Sequence, residues 1–441
     1  MARDGRDTAA GYPEPVPTVD FERSAEPTVS ASPAPELRPA PSLDHLVERV
    51  RATVERRRDD LVGWRRQVHR NPEVSWQEHR TTALVTEVLE GAGLTVRPLP
   101  GSGALVDLGA EEPRVRIALR GDLDALPVEE RTGLPFASRR PGFCHACGHD
   151  VHTVGVLGAG LALAEIEDEL RSLGLAVRLI FQPAEETVPG GAQKIIELGG
   201  LEGVDRILAL HCDPSIDVGT IGLKVGPITA ASDSIHVTLR GRGGHTSRPH
   251  LTQDLTFALG KVITEVPAAL SRRLDPRSGV ALVWGAVRAG TVANVIPATG
   301  ECVGTLRMLD SETWATTGAV IEEIVRAVVA PYGVDAQVRH VRGVPPVDND
   351  SRAVAALTAA ASMVVGPTAV VPTKQSLGGE DLGWYLQQVP GAMARLGTRT
   401  PGGPTYELHQ GDLVVDEEAT LVAARLLATA ALTSVGPDGL V

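Results

Sequence analysis

The sequence predicts an α/β protein with a mainly parallel, doubly wound sheet and a smaller α+β domain inserted into it. Short apolar runs alternate with helical patterns from residue 115 to residue 211, and the alternation resumes after residue 351. Such alternation is typical of parallel strands joined by helices on both faces of a sheet. Residues 230–345 interrupt it with the order β-α-β-β-α-β, which is typical of a ferredoxin-like unit.

Length, charge and cysteine content narrow the class of protein. The 441 residues are enough for two domains, and the formal net charge of −13 argues against a nucleic-acid partner, because phosphate binding needs a basic face. No apolar stretch of the sequence is long enough to span a bilayer, and four cysteines are too few for a disulfide scaffold. We therefore expect a cytoplasmic protein with neither membrane nor nucleic acid as a partner.

The beginning of the chain differs from the rest in composition. Residues 1–42 form a proline-rich block without apolar periodicity, which buries too little apolar surface to offset its conformational entropy. We expect this block to be a disordered tail. Apolar residues then recur at helical spacing between Leu46 and His69, and the proline after Asn71 is expected to end that helix.

The larger domain begins with alternating strands and helices. Strands are predicted at Val115–Arg120, Leu175–Phe181 and Arg206–Leu210, with helices over Val151–Leu170 and Gly191–Leu198 between them. The first of these helices is rich in Gly, Ala and Leu, which indicates close packing on its neighbours. The later elements of this domain are a helix over Arg352–Val365, a helix after Asp381, a strand over Ala392–Leu396 and a helix over Asp416–Ser434.

The inserted domain is predicted over residues 230–345, which divides the larger domain into residues 43–229 and 346–441. Its predicted strands are Ser234–Arg240, Val280–Arg288, Gly300–Met308 and Ala336–Arg342, and its helices are Leu255–Leu270 and Glu312–Val329. This order predicts an antiparallel sheet with helices on one face and one free edge. Inserted domains of this kind commonly serve as lids or dimer contacts.

Polar side chains follow three successive strands of the larger domain at the point where each strand ends. They are Asp122 and Asp124, then Glu185 and Glu186, then His211. Ligand sites of open α/β sheets collect outside the carboxyl ends of the strands. Each residue alone has an ordinary interpretation as a turn former, a solvated acid or a surface histidine. Their coincidence at one edge is what predicts a site.

Residues 144–150 contain the densest group of metal-ligand side chains in the chain. Two cysteines, two histidines and one aspartate lie within this run. Thiolate sulfur and imidazole nitrogen are the usual ligands of zinc-like metals. The run lies between the first two strands, so it can reach the same sheet edge. From the residues alone, a structural metal site and a redox pair of Cys144 and Cys147 remain alternatives.

Eight motifs of the chain occur in an order that is known from one family. They are RGDLDALPV (120–128), HACGHDVHT (145–153), FQPAEE (181–186), LH (210–211), GRGGHTSRPH (241–250), NVIP (294–297), GGEDLGWYL (378–386) and ELHQGDLVVDEE (407–418). Together they resemble the amidohydrolase branch of the M20 metallopeptidases, which includes hippurate hydrolases, N-acyl amino acid amidohydrolases and auxin-conjugate hydrolases. The resemblance covers nearly everything from residue 45 to the C-terminus.

The resemblance implies a metal-dependent enzyme that cleaves the amide bond of N-acyl amino acids or similar conjugates. The residues that match the family's metal ligands are Cys147, His149, Glu186, His211 and His409. The resemblance implies two divalent metal ions per subunit, zinc or manganese, with nickel or cobalt as further candidates. It also implies a small-molecule substrate and a homodimer formed through the inserted domain.

The resemblance gives roles to the residues around the metals. Glu185 matches the general base, which takes a proton from a metal-activated water and returns it to the leaving amine. Asp124 matches the acid that orients a metal ligand. His245 matches the histidine that stabilises the oxyanion, from its own or a partner subunit. Asn294 and Arg307 match positions that hold the substrate carboxylate, and a salt bridge within the inserted domain is an equal alternative for Arg307.

The chain departs from the family pattern at several positions. Asp122 stands where the broader M20 family usually has a metal-binding histidine, so we expect it to be structural. Cys144 is an extra thiol, and the segment 410–412 differs from relatives at a place that can shape the substrate pocket. His145 and His152 are expected in capping or surface roles, and a supporting role behind the metal ligands is the weaker alternative for both. A dipeptidase or deacetylase of the same family, and a catalytically silent binding protein, are the alternative functions.

Overall fold

The computed structural model describes residues 42–436 and 439–441. The predicted disordered tail therefore lies outside the described residues, except for Ser42. The hydroxyl of Ser42 accepts a hydrogen bond from the backbone N–H of His45 and so caps the first helix. Within the described ranges, no helix is long and apolar enough to cross a membrane.

The helices follow the predicted apolar periodicity. Three of the longest are capped by aspartates: Asp254, Asp310 and Asp350 accept hydrogen bonds from backbone N–H groups of the first helical turn. The α-helices of the described residues are α1 (Leu43–Arg56), α2 (Arg58–Arg70), α3 (His79–Gly91), α4 (His149–Ala164), α5 (Glu167–Ser172), α6 (Gly191–Glu197), α7 (Leu255–Arg273), α8 (Ser311–Val329), α9 (Ser351–Val365), α10 (Leu382–Leu386) and α11 (Glu418–Thr433).

The strands fall into one large sheet, one four-stranded sheet and three short pairs. Their burial patterns separate the two main sheets, because the central strands of the large sheet are buried along their length whereas the first strand of the smaller sheet alternates. The strands are β1 (Val96–Pro98), β2 (Ala104–Gly109), β3 (Val115–Asp122), β4 (Leu175–Gln182), β5 (Arg206–Asp217), β6 (Ile221–Leu223), β7 (Gly226–Pro227), β8 (Ala231–Arg240), β9 (Gly244–His245), β10 (Ala281–Ala289), β11 (Val295–Ile296), β12 (Thr299–Met308), β13 (Asp335–Val344), β14 (Asp348–Asn349), β15 (Val370–Pro372), β16 (Gly391–Arg399), β17 (Val435–Gly436) and β18 (Gly439–Leu440).

The large sheet has the order β1-β2-β4-β3-β5-β16-β6-β15. Its four central strands β4, β3, β5 and β16 are parallel. At the margins, β2 pairs antiparallel with β4, and β6 pairs antiparallel with β16. The prediction of a mainly parallel sheet is confirmed, with antiparallel strands added on both sides.

Helices cover both faces of the large sheet. Successive residues of β3, such as Ile117 and Ala118, belong to different apolar clusters, one with α1, α4, α9 and α11 and the other with α6 and α10. Helix α4 is buried at nearly every position. A Cβ atom added at Gly155 would lie 2.7 Å from the Cβ of Ala423 in α11, so only glycine permits this approach. This packing fixes the N-terminus of α4, where His149 lies.

The smaller sheet has the order β10-β12-β8-β13, and all its neighbours are antiparallel. Helices α7 and α8 pack on it through an apolar cluster that includes Val262 and Ile321. This arrangement is the predicted ferredoxin-like α+β unit, so the fold class is confirmed. The exact domain boundaries at residues 230 and 345 stay a prediction.

The elements depart from the sequence predictions in three places. The single helix expected from Leu46 to His69 is divided at Arg57, where the run from Glu55 to Asp60 is entirely charged and has no apolar side chain to bury. The helix expected to reach residue 170 ends at Ala164, and α5 follows as a separate element. Helix α3 and strands β1 and β2 were not predicted, because β1 has only three residues and β2 lies at the margin of the sheet.

Candidate active site

The residues predicted at the sheet edge lie in contact with one another. The Sγ atom of Cys147 is 3.5 Å from Nε2 of His211. Oε1 of Glu186 is 3.8 Å from Nε2 of His149 and 3.3 Å from Nε2 of His409. Four separate segments of the chain thus bring candidate metal ligands together, although they are far apart in sequence.

A glycine presents two of these ligands. Gly148 lies between Cys147 and His149 and has a φ of 84°, in the left-handed region that favours glycine. A Cβ atom at this position would lie 2.7 Å from the Sγ atom of Cys212. The turn at Gly148 therefore allows Cys147 to end the preceding loop while His149 begins α4.

Left-handed backbone also occurs at two non-glycine positions of the site. Ala184 has a φ of 54° and directly precedes the Glu185-Glu186 pair, and its N–H donates to the carboxylate of Glu78 at 2.8 Å. His409 has a φ of 63°, and its N–H donates to the carbonyl oxygen of Ala146 at 2.8 Å. Residues in this region are unfavourable unless their surroundings hold them, and they concentrate at functional sites.

Asp124 holds the segment that carries the two glutamates. Its buried carboxylate accepts hydrogen bonds from the N–H groups of Glu185 and Glu186, each at 3.0 Å, and from the Ser75 hydroxyl at 2.7 Å. Nδ1 of His149 lies 2.9 Å from the Asp124 carbonyl oxygen and 3.4 Å from one carboxylate oxygen. Burial raises the pKa of Asp124, but the contacts with His149 and Glu186 outweigh it and hold the pKa below its ordinary value.

A divalent cation fits between His149 and Glu186. In the neutral form of His149, Nδ1 carries the proton because it faces a carbonyl oxygen, and Nε2 has the lone pair that a metal would bind. This Nε2 atom and Oε1 of Glu186 are both buried, have no hydrogen-bond partner among the described residues, and lie 3.8 Å apart. Burial lowers the pKa of His149, but Asp122 and Cys147 outweigh it and hold the pKa well above its ordinary value, so a proton lies on Nε2 when no metal is bound. A cation between the two atoms would take the place of that proton. Imidazole, carboxylate and thiol donors suit a zinc-like metal.

Burial controls the protonation of the other site residues. Burial raises the pKa of the Cys147 thiol to about 12, and a bound cation is what would favour the thiolate. Burial and the charges of Glu380 and Glu186 hold the pKa of Glu185 well above its ordinary value. Burial and the charge of Arg395 lower the pKa of His211, which keeps its imidazole neutral, as a metal ligand must be.

Asp122 is engaged by protein groups. Its carboxylate accepts a hydrogen bond from Nη1 of Arg120 at 2.6 Å and contacts Nδ1 of His152 at 2.7 Å, while Nε2 of His152 accepts from the N–H of Cys212. A surface role for His145 and His152 was wrong, since both are buried, and the contact of His152 with Asp122 fits the weaker alternative of a supporting role. His149 and His152 are three residues apart and therefore lie on one face of α4. This spacing could have indicated from the sequence that His152 lies near the site.

A buried polar network supports the site from below. Arg120 donates to Asp122, to Glu380 at 3.0 Å and to Asp381 at 2.8 Å. Asp381 also accepts hydrogen bonds from the side chain of Gln182, and its N–H lies 3.4 Å from the carboxylate of Glu185. The sequence motif that contains Glu380 and Asp381 was recognised, but no role was predicted for either acid. They connect α10 to the strand ends of the large sheet.

A cavity of about 710 Å³ opens over the cluster. The predicted ligands Cys147, Glu186, His211 and His409 contribute to its lining, together with the general-base candidate Glu185 and with Arg307 from the smaller sheet.

The remaining two predicted residues lie elsewhere. His245 is exposed, and its Nδ1 contacts the Ser247 hydroxyl at 2.8 Å. Asn294 is also exposed. It directly precedes β11, which pairs with β9, and so it lies close to His245. Neither residue lines this cavity, so one chain brings together eight of the ten predicted site residues at most.

Fold and site together define the class of protein. A parallel sheet delivers imidazole, thiol and carboxylate groups to one edge, and an additional half-buried acid, Glu185, lies beside them at a cavity of substrate size. This combination is what a metal-assisted hydrolase requires.

Comparison with known proteins places the chain within that class. Residues 118–433 match peptidase family M20/M25/M40. N-acetyl-L-cysteine deacetylase from Bacillus subtilis (strain 168) is 37% identical over 83% of this chain and 86% of its own length. A Rhodococcus jostii (strain RHA1) protein with the name "Putative glutamate--cysteine ligase 2-3" is 48% identical over 83% of this chain. The chain spans about half of that relative, 46% of its length.

A solved structure agrees with the sequence comparison. The crystal structure of a dinuclear metal-binding peptidase of the M20 family from Bacillus subtilis matches 86% of this chain and 98% of its own, with a TM-score of 0.74 and 33% identity. The chain belongs to peptidase family M20/M25/M40 and is a hydrolase that acts on amide bonds. The predicted membership of the M20 amidohydrolase type is therefore confirmed.

Proposed function

We propose that this protein is a two-metal amidohydrolase that cleaves N-acyl amino acids into a carboxylic acid and a free amino acid. The observation that carries the proposal is the buried pair of atoms His149 Nε2 and Glu186 Oε1, which lie 3.8 Å apart with Glu185 beside them. Ligand atoms of these three residues lie within 4.8 Å of one another. The name of the Bacillus subtilis deacetylase supports an N-acyl amino acid as the class of substrate.

The chain's own residues would divide the chemistry between them. The proposed metal ligands are Cys147, His149, Glu186, His211 and His409. Two divalent metals, when bound, lower the pKa of a water molecule and polarise the amide carbonyl. Glu185 takes a proton from the attacking water and gives it to the leaving amine. Asp124 keeps Glu185 and Glu186 in place.

The substrate carboxylate is assigned to the side of the cavity formed by the smaller sheet. Arg307 lines the cavity, and its Nη1 donates to the carbonyl oxygen of Leu377, which orients the guanidinium. A guanidinium binds a carboxylate through two parallel hydrogen bonds. His245 and Asn294 are exposed and outside the cavity of their own chain, so we propose that they act on the oxyanion and the carboxylate in the site of a partner subunit.

A homodimer through residues 230–345 would bring those residues across. Strand β10 is an edge strand of the smaller sheet, and Val283 and Val287 on it are 62% and 49% exposed. An unpaired edge with exposed valines is a surface that another strand can cover. We propose the same domain as the lid over the cavity.

Two other functions fit the family. Deacetylation is the special case in which the acyl group is acetyl, and the name of the Bacillus subtilis relative favours it. A catalytically silent binding protein is disfavoured, because Glu185 and a complete set of ligand types are present at the cavity.

A substrate panel tests the proposal. Amine release is measured from N-acetyl, N-benzoyl and indole-acyl amino acids, with zinc or manganese added and with a chelator. We expect turnover of at least one of these classes, its loss on chelation and its return when metal is restored. Absence of turnover on every substrate with both metals would overturn the proposal.

A further inference from the structure

Arg395 is a buried arginine without a role in the chemistry described above. It lies in β16 between the apolar residues Ala394 and Leu396, and it is 7% exposed. Its side chain lines the same cavity as the metal-ligand candidates. Among the described residues, the guanidinium has neither a hydrogen-bond partner nor an ion-pair partner.

The strand register places Arg395 beside the metal cluster. It pairs with His211 on the parallel strand β5, and side chains at paired positions point to the same face of a sheet. Its charge contributes, after burial, to the lowered pKa of His211. On the other side, Gly222 of β6 is so close that an added Cβ would lie 3.2 Å from the Cβ of Arg395. The guanidinium therefore extends from the sheet into the floor of the cavity.

Asp213 and Glu380, whose charges act on Arg395, each bind another group through one carboxylate oxygen. Asp213 accepts hydrogen bonds from the N–H and the hydroxyl of Ser215, at 2.9 and 2.6 Å. Glu380 accepts from Arg120 at 3.0 Å. A guanidinium offers five N–H donors, and those of Arg395 border the cavity without an acceptor from the described residues. An anion that enters the cavity would satisfy them, and a planar carboxylate fits the guanidinium best.

We propose that Arg395 binds a second carboxylate of the substrate, so that the preferred substrates are N-acyl amino acids with an anionic group besides the α-carboxylate. The inference rests on the proposed function and specifies its substrate class. Arg307 on the smaller sheet and Arg395 on the large sheet would hold the two carboxylates from different walls of one cavity. The second carboxylate can belong to the acyl chain or to the side chain of the amino acid.

Matched substrate pairs separate these two sources. The metal-loaded, full-length protein is assayed on N-succinyl-L-alanine against its neutral amide, N-succinamoyl-L-alanine, and on N-acetyl-L-glutamate against N-acetyl-L-glutamine. We expect kcat/KM to be at least about 10-fold higher for the carboxylate in one pair, because a site built for a charged partner discriminates against its neutral isostere. The pair that shows the preference identifies where the second carboxylate lies.

Variants then test whether Arg395 causes the preference. Arg395→Met should lower the carboxylate-to-amide ratio to about 1–2, and Arg395→Lys should retain part of it. Lys374→Met is the matched control, since Lys374 is an exposed cation of the same cavity. The control should keep at least half of the ratio. The ratio is taken within each variant, so a general loss of activity does not imitate the effect, and thermal unfolding reports on folding.

Three results would overturn the proposal. The first is discrimination of less than about 2-fold by the wild-type protein in both pairs, a measurement that needs no variant. The second is a preference that persists in Arg395→Met, and the third is an equal loss of the preference in Arg395→Met and Lys374→Met. In all three cases hydrolysis of singly charged N-acyl amino acids still proceeds, so the proposed function stands. Absence of hydrolysis on every substrate is the separate result that defeats the proposed function.

Discussion

Replacement of Asp124 by asparagine tests how the site is held together. One carboxylate oxygen accepts the N–H of Glu185 and the other accepts the N–H of Glu186, each at 3.0 Å. An asparagine has only one oxygen, so its NH₂ group must face one of these two N–H donors in either orientation. The variant therefore loses one hydrogen bond to a charged acceptor and sets two donors against one another in a buried place.

The size of the effect follows from those contacts. A hydrogen bond to a charged group contributes about 1.5–3 kcal/mol, which corresponds to roughly 10- to 150-fold in an equilibrium constant. Residues that orient metal ligands typically change metal affinity by about 10- to 100-fold when they are replaced. We therefore expect Asp124→Asn to weaken metal binding by about 10- to 100-fold, and to lower kcat/KM at least as much because Glu185 moves as well.

The assay is competition for zinc against a chromophoric chelator, with kcat/KM measured at saturating metal. Ser75→Ala is the matched control, because it removes the 2.7 Å hydrogen bond from the same carboxylate without adding a donor. It leaves the hydrogen bonds from the N–H groups of Glu185 and Glu186 in place, so it should weaken metal binding less than Asp124→Asn does. If Asp124→Asn binds zinc within 2-fold of the wild-type protein and keeps its activity, the described role of Asp124 is wrong.

Two further predictions concern stability. Gly148→Ala should lower the free energy of unfolding in urea by about 2–4 kcal/mol, from its φ of 84° and from a Cβ placed 2.7 Å from a buried sulfur. Gly133 has a φ of 69° and open space around it, so Gly133→Ala should lower the free energy of unfolding by only about 1 kcal/mol. Equal losses in the two variants would refute the predicted steric clash at Gly148. Burial lowers the pKa of His69, but Asp150 and Glu130 outweigh it and raise the pKa above its ordinary value. In the metal-free protein, protonated His69 should therefore contribute to the free energy of unfolding below about pH 6.5, and this contribution should be lost as the pH rises through the pKa of His69 in the folded state. His69→Gln should remove this pH dependence of the free energy of unfolding.

The strands and long helices were predictable because their apolar periodicity is strong. Strand β3 reads as a short apolar-rich run and α7 as a helical pattern, and both lie within a few residues of the predicted bounds. The margins of the sheet were not predictable in this way. Strand β2 carries an apolar run, but its antiparallel pairing with β4 depends on a neighbour more than sixty residues away in sequence.

The candidate site was predictable in part. Strand ends located Glu185 and Glu186 at the sheet edge, and motif resemblance added His409, whose backbone conformation no spacing rule indicates. Side-chain direction was the limit for the rest. Arg395 lies in an otherwise apolar strand, and the sequence does not show to which face of the sheet its side chain points. Its register with His211 is what places it at the cavity. The burial of His152 likewise depends on Asp122, which lies 30 residues earlier.

The most direct test of the account is the turnover number of Glu185→Gln, measured at saturating metal on protein shown by elemental analysis to hold its metals. Glu185 lies beside the ligand cluster and is proposed as the base rather than as a ligand. We predict about two metal ions per chain, as in the wild-type protein, and a fall in kcat of at least about 100-fold. Turnover close to that of the wild-type protein with both metals present would contradict the account.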